Sequence, residues 1–318
     1  MADVTASPSV SVVMAAHNAR ETIGMTLTSL FAQTARSWEA IVVDDGSSDG
    51  TARVVEALAD DRVHVVTQSR AGAAAARNRG LALARGDVIG FLDADDFLFP
   101  EYLERSLALL ASSPQKTIVT HNAYYLTRAG LDPRLVRHRD ALPRSLARQQ
   151  DALLRSNVVS IMSVFPRELL DDVTGFDVAL ERAEDWDFWI RASFAGWTVA
   201  HQRSPMALIN RTRESLTSAS DAVARSEAEV LRKTARTQVL TARQARGIES
   251  RLATGEPSTL ERESLSALQA GDDVRAARLH WTATRLATRS PAALARALVF
   301  RLVPRTVGSI KRRRPRTQ

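Results

Sequence analysis

The chain has 318 residues, 45% of them hydrophobic and 25% charged, so we expect a sizeable core in one large domain plus a smaller one. The absence of cysteine excludes disulfides, thiolate metal sites and cysteine nucleophiles. The net charge of +7 comes from the segment that begins at Arg301, which has seven basic residues and no acid, and this is not the pattern of a uniformly basic nucleic-acid-binding domain.

The first hundred residues alternate short apolar runs with helical patterns. The runs predict four strands, at Val10–Ala15, Trp38–Val43, Val63–Thr67 and Val88–Leu92. Helices are predicted at Glu21–Gln33, Thr51–Leu58, Ala71–Arg85 and from Pro100 to about Ser112. We expect Gly86 to end the third helix. The alternation predicts an α/β fold with a doubly wound sheet flanked by helices.

The remaining chain is less regular and then becomes helical. Strands are expected at Ile118–Leu126, in the apolar run Val158–Phe165, and at the sheet edge over Trp197–His201. A surface loop is expected at Arg134–Arg148 and a helix at Arg182–Phe194. Later helices are predicted at Asp221–Ala253, Pro257–Ala270, Val274–Ala287 and Pro291–Arg301. We therefore predict an α/β domain at 1–220 and a helical C-terminal region with a basic tail at 221–318.

Three acidic clusters follow one another along the α/β part: Asp44-Asp45, Asp93-Ala94-Asp95-Asp96 and Glu184-Asp185. The first two directly follow predicted buried strands, where carboxylates are costly unless a cation or polar group meets them. In an open α/β sheet, ligands bind at the carboxyl ends of the strands. One metal ion, one nucleotide and one general base would account for the three clusters.

Four strings, VSVVMAAHN, EAIVVDDGSSDGT, GAAAARNRGLALARGDVIGFLDADD and ERAEDWDFWIRASFAGW, occur in this order. Together they resemble the family 2 glycosyltransferases with the GT-A fold, over roughly residues 8–217. The resemblance implies a mixed sheet and an inverting sugar transfer from a nucleotide-diphosphate sugar, assisted by Mg²⁺ or Mn²⁺. The polymerase motif QxxRW of processive synthases is missing, so a processive synthase is not expected.

The string Asp93-Ala94-Asp95 matches the DxD motif of the family. Carboxylates are hard ligands suited to Mg²⁺ or Mn²⁺, and side chains alternate along an extended segment, so Asp93 and Asp95 are expected to point the same way. The resemblance implies that Asp95 contacts the metal and that Asp93 contacts the metal or the ribose. The alternative is a turn followed by a helix cap, the role expected for Asp96.

The nucleotide is expected at the ends of the first two strands. The resemblance implies that Asp45 contacts the nucleobase, and Gly46 allows close approach of the backbone. Backbone contacts to the base are expected from Ala15, His17 and Asn18, although the family often has Tyr-Asn here. The alternatives are an Asx-turn at Asp45 and a surface or core role for His17.

Basic residues are the candidates for the diphosphate. Arg77 is expected to reach it, unless it faces solvent or pairs with an acid such as Asp93. Arg211 or Arg213 lies where the family has a segment that closes on the diphosphate, although surface charge explains at least one of them.

The Glu184-Asp185 pair matches the ED motif, which implies that Asp185 is the general base that deprotonates the acceptor hydroxyl. We expect Trp186 and Trp189 to shield Asp185 from water or to stack on sugar. The alternative is that these acids are merely charged residues on a helix surface.

The expected partners are a nucleotide-diphosphate sugar and a hydroxyl acceptor on a glycan, a lipid-linked sugar or another molecule, in cell-surface glycan or polysaccharide biosynthesis. The first residues lack a secretory signal and no apolar run reaches 18 residues, so a cytoplasmic location is expected. The basic segment Arg296–Arg316 either lies on the inner face of a membrane or is a packed helix with a solvated end. The alternative function is a non-catalytic scaffold that binds sugar nucleotides.

Overall fold

The computed structural model describes residues 8–58, 60–136, 142–211, 220–270 and 272–287. The chain divides into two compact units, Met1–Ser215 and Leu216–Gln318. Within the described ranges, no helix combines the length and apolar character needed to cross a membrane.

The first unit begins with the four predicted strands, all parallel and hydrogen-bonded in the order β3-β2-β1-β4. The strands are β1 (Val10–Ala16), β2 (Trp38–Asp45), β3 (Val63–Gln68) and β4 (Val88–Phe91). The helices between and after them are α1 (Ile23–Phe31), α2 (Thr51–Ala57), α3 (Ala73–Leu83) and α4 (Tyr102–Ala111). Nearly every residue of β1 and β2 is buried, because helices cover both faces of such a sheet. The predicted doubly wound arrangement is confirmed.

The second half of this unit makes the sheet mixed. It adds the strands β5 (Phe97–Leu98), β6 (Thr117–Thr127), β7 (Gly130–Val136), β8 (Val164–Pro166) and β9 (Thr198–Asn210). It also adds the helices α5 (Leu146–Leu153), α6 (Leu169–Asp172) and α7 (Glu184–Phe194). The strand order is β3-β2-β1-β4-β8-β6-β9-β5, with β7 paired to β6. Strand β8 runs antiparallel to β4, and β6 runs parallel to β9.

One strand predicted for this half is longer in the structure, and one predicted loop is wrong. The strand predicted at the sheet edge over Trp197–His201 extends to Asn210 as β9. Its first residues, Thr198–His201, pair with β6 alone, and β5 joins β9 only at Ala207 and Leu208. The segment Arg134–Arg148 was predicted to be a surface loop. In the structure its first residues belong to β7 and its last residues belong to α5. Residues 137–141 lie outside the described part.

Helix α3 packs closely on β1, and two glycines permit the approach. A Cβ atom on Gly80 would overlap the side chain of Val13. A Cβ atom on Gly86 would lie 2.6 Å from the backbone nitrogen of Ser11. The prediction that Gly86 ends α3 is wrong, since the helix ends at Leu83 and Gly86 serves this close contact instead.

The second unit contains α8 (Ser220–Thr237), α9 (Ala242–Gln269) and α10 (Asp273–Ala287). The single helix predicted at Asp221–Ala253 is wrong, because α8 ends at Thr237 and a second helix, α9, begins at Ala242. There, the Thr241 amide donates to Gln244 Oε1 at 3.0 Å and the Gln244 amide donates to Thr241 Oγ1 at 3.3 Å, which is a capping box.

The prediction that a separate helix begins at Pro257 is also wrong, since α9 continues through this residue. A proline inside a helix removes one backbone hydrogen bond. Helix α9 nevertheless packs on α10 through the buried residues Ala267, Ala276 and Ala277. The helix predicted at Pro291–Arg301 and the basic segment Arg296–Arg316 lie outside the described residues.

Candidate active site

The carboxyl ends of β1, β2 and β4 meet at one edge of the sheet, because these strands are parallel neighbours. The register pairs Ala16 of β1 with Asp44 of β2. Asp45 ends β2, and Asp93 follows the end of β4 on the other side of β1. The first two acidic clusters therefore share one edge of the sheet, as their positions after strands predict.

The Asp45 carboxylate is buried and accepts three hydrogen bonds from within the chain. Its Oδ1 accepts from Gln68 Nε2 and from the Ala71 amide, and its Oδ2 accepts from the Gly72 amide, each at 2.8 Å. Burial alone would raise the pKa of Asp45, but these hydrogen bonds outweigh it and hold the pKa below its usual value. A carboxylate offers about four acceptor positions, so one is left for a nucleobase N–H, and that contact stays a prediction.

Gly46 packs against the segment Gln68–Gly72, which is hydrogen-bonded to the Asp45 carboxylate. Its φ of +71° lies in the left-handed region, and a Cβ atom here would lie 2.8 Å from the backbone nitrogen of Arg70. The glycine is therefore required by a contact within the protein as well as by its backbone conformation.

We expect Gly46→Ala to lower the free energy of unfolding by about 2–4 kcal/mol, because a backbone clash adds to the strain of φ > 0. It should also weaken binding of the nucleotide expected at this edge, since the segment around Arg70 must move. Gly50→Ala is the matched control, because Gly50 has a φ of +91° but has nothing within 4 Å of its Cβ position. Urea unfolding measures the first effect, and calorimetric titration with UDP and with GDP measures the second. Equal losses in the two variants would show that the contact with Arg70 is unimportant.

The end of β1 is held to the same edge by His17. Its Nδ1 lies 2.9 Å from the Asp45 carbonyl, so Nδ1 donates, and its Nε2 is left to accept from Arg70 Nη1. Asn18 lies in the left-handed region with a φ of +50°, which asparagine tolerates better than most residues. Ala15 is the only partly exposed residue of β1. The three residues predicted to border the base therefore lie together at the edge.

The segment Asp93–Asp96 forms a turn, closed by a hydrogen bond of 3.2 Å from the Asp96 amide to the Asp93 carbonyl. The prediction of an extended segment is therefore wrong. Ala94 is buried, and its carbonyl accepts hydrogen bonds from the hydroxyls of Thr22 and Thr26 at 2.9 and 3.1 Å. These bonds fix the turn to α1.

Burial and neighbouring negative charge raise the pKa of two carboxyls in this turn, those of Asp95 and Asp96. Burial, and then the charge of Asp93, raise the pKa of Asp95 to about 6. Burial and the charges of Asp93 and Asp95 also raise the pKa of Asp96. The helix-cap role expected for Asp96 is wrong. Its Oδ1 accepts from the Asn210 amide at 2.8 Å and so joins the turn to the end of β9.

Arg77 connects this turn to the third acidic cluster. Its Nη2 donates to Asp93 Oδ1 at 2.8 Å and its Nη1 donates to Glu184 Oε1 at 2.5 Å. The guanidinium is buried, and although burial opposes its charge, the two carboxylates raise its pKa. The structure thus shows the predicted alternative for Arg77, a partner of Asp93. Its contact with a diphosphate stays a prediction.

Asp185 lies in the first turn of α7, next to Glu184. The residue before this pair, Ala183, has a φ of +58°, which is uncommon for a residue with a Cβ atom. Asp185 Oδ2 accepts from Asn157 Nδ2 and Oδ1 accepts from the Trp186 amide, each at 2.8 Å. The carboxylate is therefore held from two sides.

The pKa of Asp185 is raised to about 6, first by burial and then by the charge of Glu184. The charge of Arg77 and the hydrogen bonds from Asn157 and Trp186 act in the opposite direction. A carboxyl with this pKa is ionised at neutral pH and is a stronger base than an ordinary aspartate.

The predicted contacts of Trp186 and Trp189 with sugar are wrong, because both side chains are buried in the core. Trp186 Nε1 donates to the Leu153 carbonyl at 2.8 Å. Trp189 packs edge-on against Phe188, with ring centroids 5.0 Å apart. Of their two predicted roles, only shielding of the helix that carries Asp185 remains.

Arg211 follows β9 and is exposed, with its guanidinium 5.0 Å from the ring centroid of Tyr125. Arg213 lies outside the described residues. A contact of either arginine with a phosphate stays a prediction.

Among the described residues, no three His, Asp or Glu side chains are placed to hold a metal ion together. Mg²⁺ and Mn²⁺ sites in phosphate-transfer enzymes use one or two carboxylates plus substrate phosphates. The donor set fits such an ion, because burial and the charge of Asp93 both disfavour ionised Asp95, and a divalent cation would stabilise the ionised carboxylate.

Sequence reasoning missed three residues of this region: Gln68, Arg70 and Asn157. Gln68 ends β3 and pairs with Asp45 of β2, and Arg70 lies two residues beyond, so the predicted parallel strands were a signal for both. Asn157 lies 28 residues from Asp185 in an irregular segment, and no local pattern pointed to it.

The profile of "Glycosyl transferase family 2" matches residues 11–174, slightly more than half of the chain. The chain therefore belongs to glycosyl transferase family 2. One relative is WfgD of Escherichia coli, a UDP-Glc:alpha-D-GlcNAc-diphosphoundecaprenol beta-1,3-glucosyltransferase, which is 40% identical over 102 residues, or 32% of this chain and 40% of WfgD. The matches span between 40% and 60% of the length of the first six curated relatives.

Two solved structures share the fold. S. aureus TarS 1–349 in complex with UDP-GlcNAc gives a TM-score of 0.67 at 19% identity, covering 96% of this chain and 91% of that chain. The mannosyltransferase PcManGT from Pyrobaculum calidifontis, in complex with GDP-Man and Mn²⁺, gives a TM-score of 0.59 at 21% identity. This match covers 94% of this chain and 88% of PcManGT. The mixed sheet flanked by helices is thus a GT-A-like fold, as expected.

Proposed function

We propose that this protein is an inverting glycosyltransferase that moves a sugar from a nucleotide-diphosphate sugar to an acceptor hydroxyl. The observation that carries the proposal is the position of Arg77, which bonds Asp93 on one side and Glu184 on the other. The buried guanidinium of Arg77 therefore connects Asp93, in the turn proposed to hold the metal and diphosphate, with the first turn of α7, which bears Asp185. A donor site and a base on opposite sides of the transferred sugar are what a single displacement needs.

The donor would lie along the edge formed by β1, β2 and β4. Asp45 has one acceptor position left for a base N–H, and Gly46, Ala15, His17 and Asn18 border the same place. Asp93 and Asp95 would hold a divalent cation, and that ion offsets charge on the leaving diphosphate when bound. The metal complex of PcManGT supports this choice at the level of the shared fold.

Asp185 would take the proton of the acceptor hydroxyl. The hydroxyl oxygen then bonds to the anomeric carbon while the bond from that carbon to the diphosphate oxygen breaks, which inverts the configuration. The nucleoside diphosphate leaves, and the proton stays on Asp185 until solvent removes it. A pKa of about 6 leaves Asp185 ionised and ready at neutral pH.

The acceptor is proposed to be a lipid-linked or cell-surface glycan. The support is the printed name of WfgD, which describes a sugar on a diphospholipid as its acceptor. Peripheral attachment to the membrane would bring the active site to such an acceptor, and this remains a prediction.

The test incubates the purified chain with Mn²⁺ and, in turn, UDP-glucose, UDP-N-acetylglucosamine, GDP-mannose, a dTDP-sugar and a CDP-sugar. We expect one of them to stabilise the fold only when metal is present, by about 2.7 kcal/mol at a hundredfold excess over the dissociation constant. Slow release of free nucleotide should accompany the stabilisation. Thermal unfolding and nucleotide chromatography measure the two effects, and EDTA should abolish both.

Asp95→Asn should remove the metal-dependent stabilisation while the chain still folds. Asp87→Asn is the matched control, because Asp87 is an exposed acid at the opposite end of β4. A metal-dependent response that survives Asp95→Asn would reject Asp95 as a metal ligand. Stabilisation by a sugar nucleotide that needs no metal and releases no free nucleotide would favour the scaffold alternative.

A further inference from the structure

We propose that Asn157 is a positioning residue for the general base, which fixes the orientation of the Asp185 carboxylate and keeps it ionised; this rests on the proposed function. Asn157 lies in the segment between α5 and β8, and its Nδ2 donates to Asp185 Oδ2 at 2.8 Å. Asp185 is partly exposed as a residue, and this bond holds one of its two carboxylate oxygens.

The two oxygens of Asp185 are held differently. Oδ1 accepts from the amide of Trp186, which is on the same helix and follows its movement. Oδ2 accepts from Asn157, which belongs to another part of the chain. Asn157 is therefore the contact that fixes the carboxylate relative to the rest of the site, and the remaining acceptor positions would be available to the acceptor hydroxyl.

The charged groups around Asp185 oppose one another. Glu184, adjacent on α7, disfavours the ionised carboxylate, and burial acts in the same direction. Arg77 from α3 favours the ionised form, and so do the hydrogen bonds from Asn157 and the Trp186 amide. Because Arg77 is already bonded to Asp93 and Glu184, Asn157 is the side-chain donor that acts on Asp185 directly.

Asn157→Ala removes the donor, so the carboxylate should ionise at a higher pH. A hydrogen bond to a charged group is strong enough to shift the pKa of Asp185 upward by about one unit. The ascending limb of the pH–rate profile should move up by the same amount, because only the ionised base is active. The loss of rate should be largest near pH 6 and should shrink as the pH rises to 9.

The first readout does not depend on activity. Aspartate labelled with ¹³C at the carboxyl carbon is titrated by NMR in the full chain, and the signal missing in Asp185→Asn identifies Asp185. The second readout is the pH dependence of hydrolysis, with Mn²⁺ and whichever of UDP-glucose, UDP-N-acetylglucosamine or GDP-mannose the wild type hydrolyses. Gln150→Ala is the matched control, because Gln150 Nε2 donates to the Ser193 carbonyl of α7 at 2.9 Å and not to a carboxylate.

We expect Asn157→Ala to raise the pKa of Asp185 in both readouts and Gln150→Ala to change neither. If Asn157→Ala does not fold, the isosteric Asn157→Asp replaces it, and a second carboxyl there should raise the pKa further. An unchanged Asp185 titration in the folded variant overturns the proposal. Hydrolysis that persists in Asp185→Asn would instead reject the proposed function, while the NMR titration still decides the role of Asn157.

Discussion

Asp185→Asn is expected to abolish sugar transfer while leaving binding of the sugar nucleotide unchanged. The substitution keeps the size of the side chain but removes the group that accepts the proton, and a positioned general base contributes about 10²–10⁴-fold to the rate. Single-turnover release of nucleotide measures the chemical step, and calorimetric titration with UDP measures binding. Both are done at pH 8, where the wild-type carboxyl is fully ionised, since its pKa is raised to about 6.

Glu181→Gln is the control for this variant, because Glu181 is an exposed acid just before α7. Its rate should equal that of the wild type. If Asp185→Asn kept its rate within tenfold of the wild type, the base would have to be another group, and the assignment of the ED motif in this chain would fail.

Arg77→Met should lower the free energy of unfolding by about 3–5 kcal/mol, because it leaves Asp93 and Glu184 without the cation between them. Arg77→Lys should lower the free energy of unfolding by less, since the lysine ammonium keeps the charge but cannot bond Asp93 and Glu184 through two separate nitrogens. Both variants should lose transfer activity, because the acids for the donor and the turn bearing the base are no longer joined. Urea unfolding and nucleotide release measure the two effects.

Arg79→Met is the matched control, since Arg79 is exposed two residues further along α3. Adding Glu184→Gln to Arg77→Met should restore part of the lost stability, because an unpaired carboxylate is removed. Glu184→Gln alone completes the double-mutant cycle, which gives the interaction energy between the two residues. Equal losses in Arg77→Met and Arg79→Met would mean that the bridge contributes nothing.

The strands that form the site were predictable because their signal is local. Each of β2 and β4 is a short apolar run that ends at or just before an aspartate, and the alternation with helices sets their parallel order. The position of β9 was not predictable in this way, since it depends on pairing with β6, which lies some seventy residues earlier. The break before α9 had a local signal in Thr241 and Gln244, which sequence reasoning overlooked.

The site was predictable as a set of acids but not as a set of contacts. The resemblance to the family implied roles for Asp45, Asp93 and Asp185, and these roles stay predictions. The roles of Arg77 and Asn157 depend on partners that are 16 to 107 residues away along the chain. The core position of Trp189 was missed because an aromatic residue beside a motif suits a ligand and a core equally well.

The three bonds to Asp45 have a consequence for the energetics of ligand binding. They hold the segment from Gln68 to Gly72 against β2, so one side of the proposed nucleotide site is fixed by bonds within the chain. Association of the proposed nucleotide would then not have to order this backbone, and binding would not include that entropic cost. The nucleotide should therefore associate quickly, and its heat capacity change should reflect only the surface that the ligand itself covers.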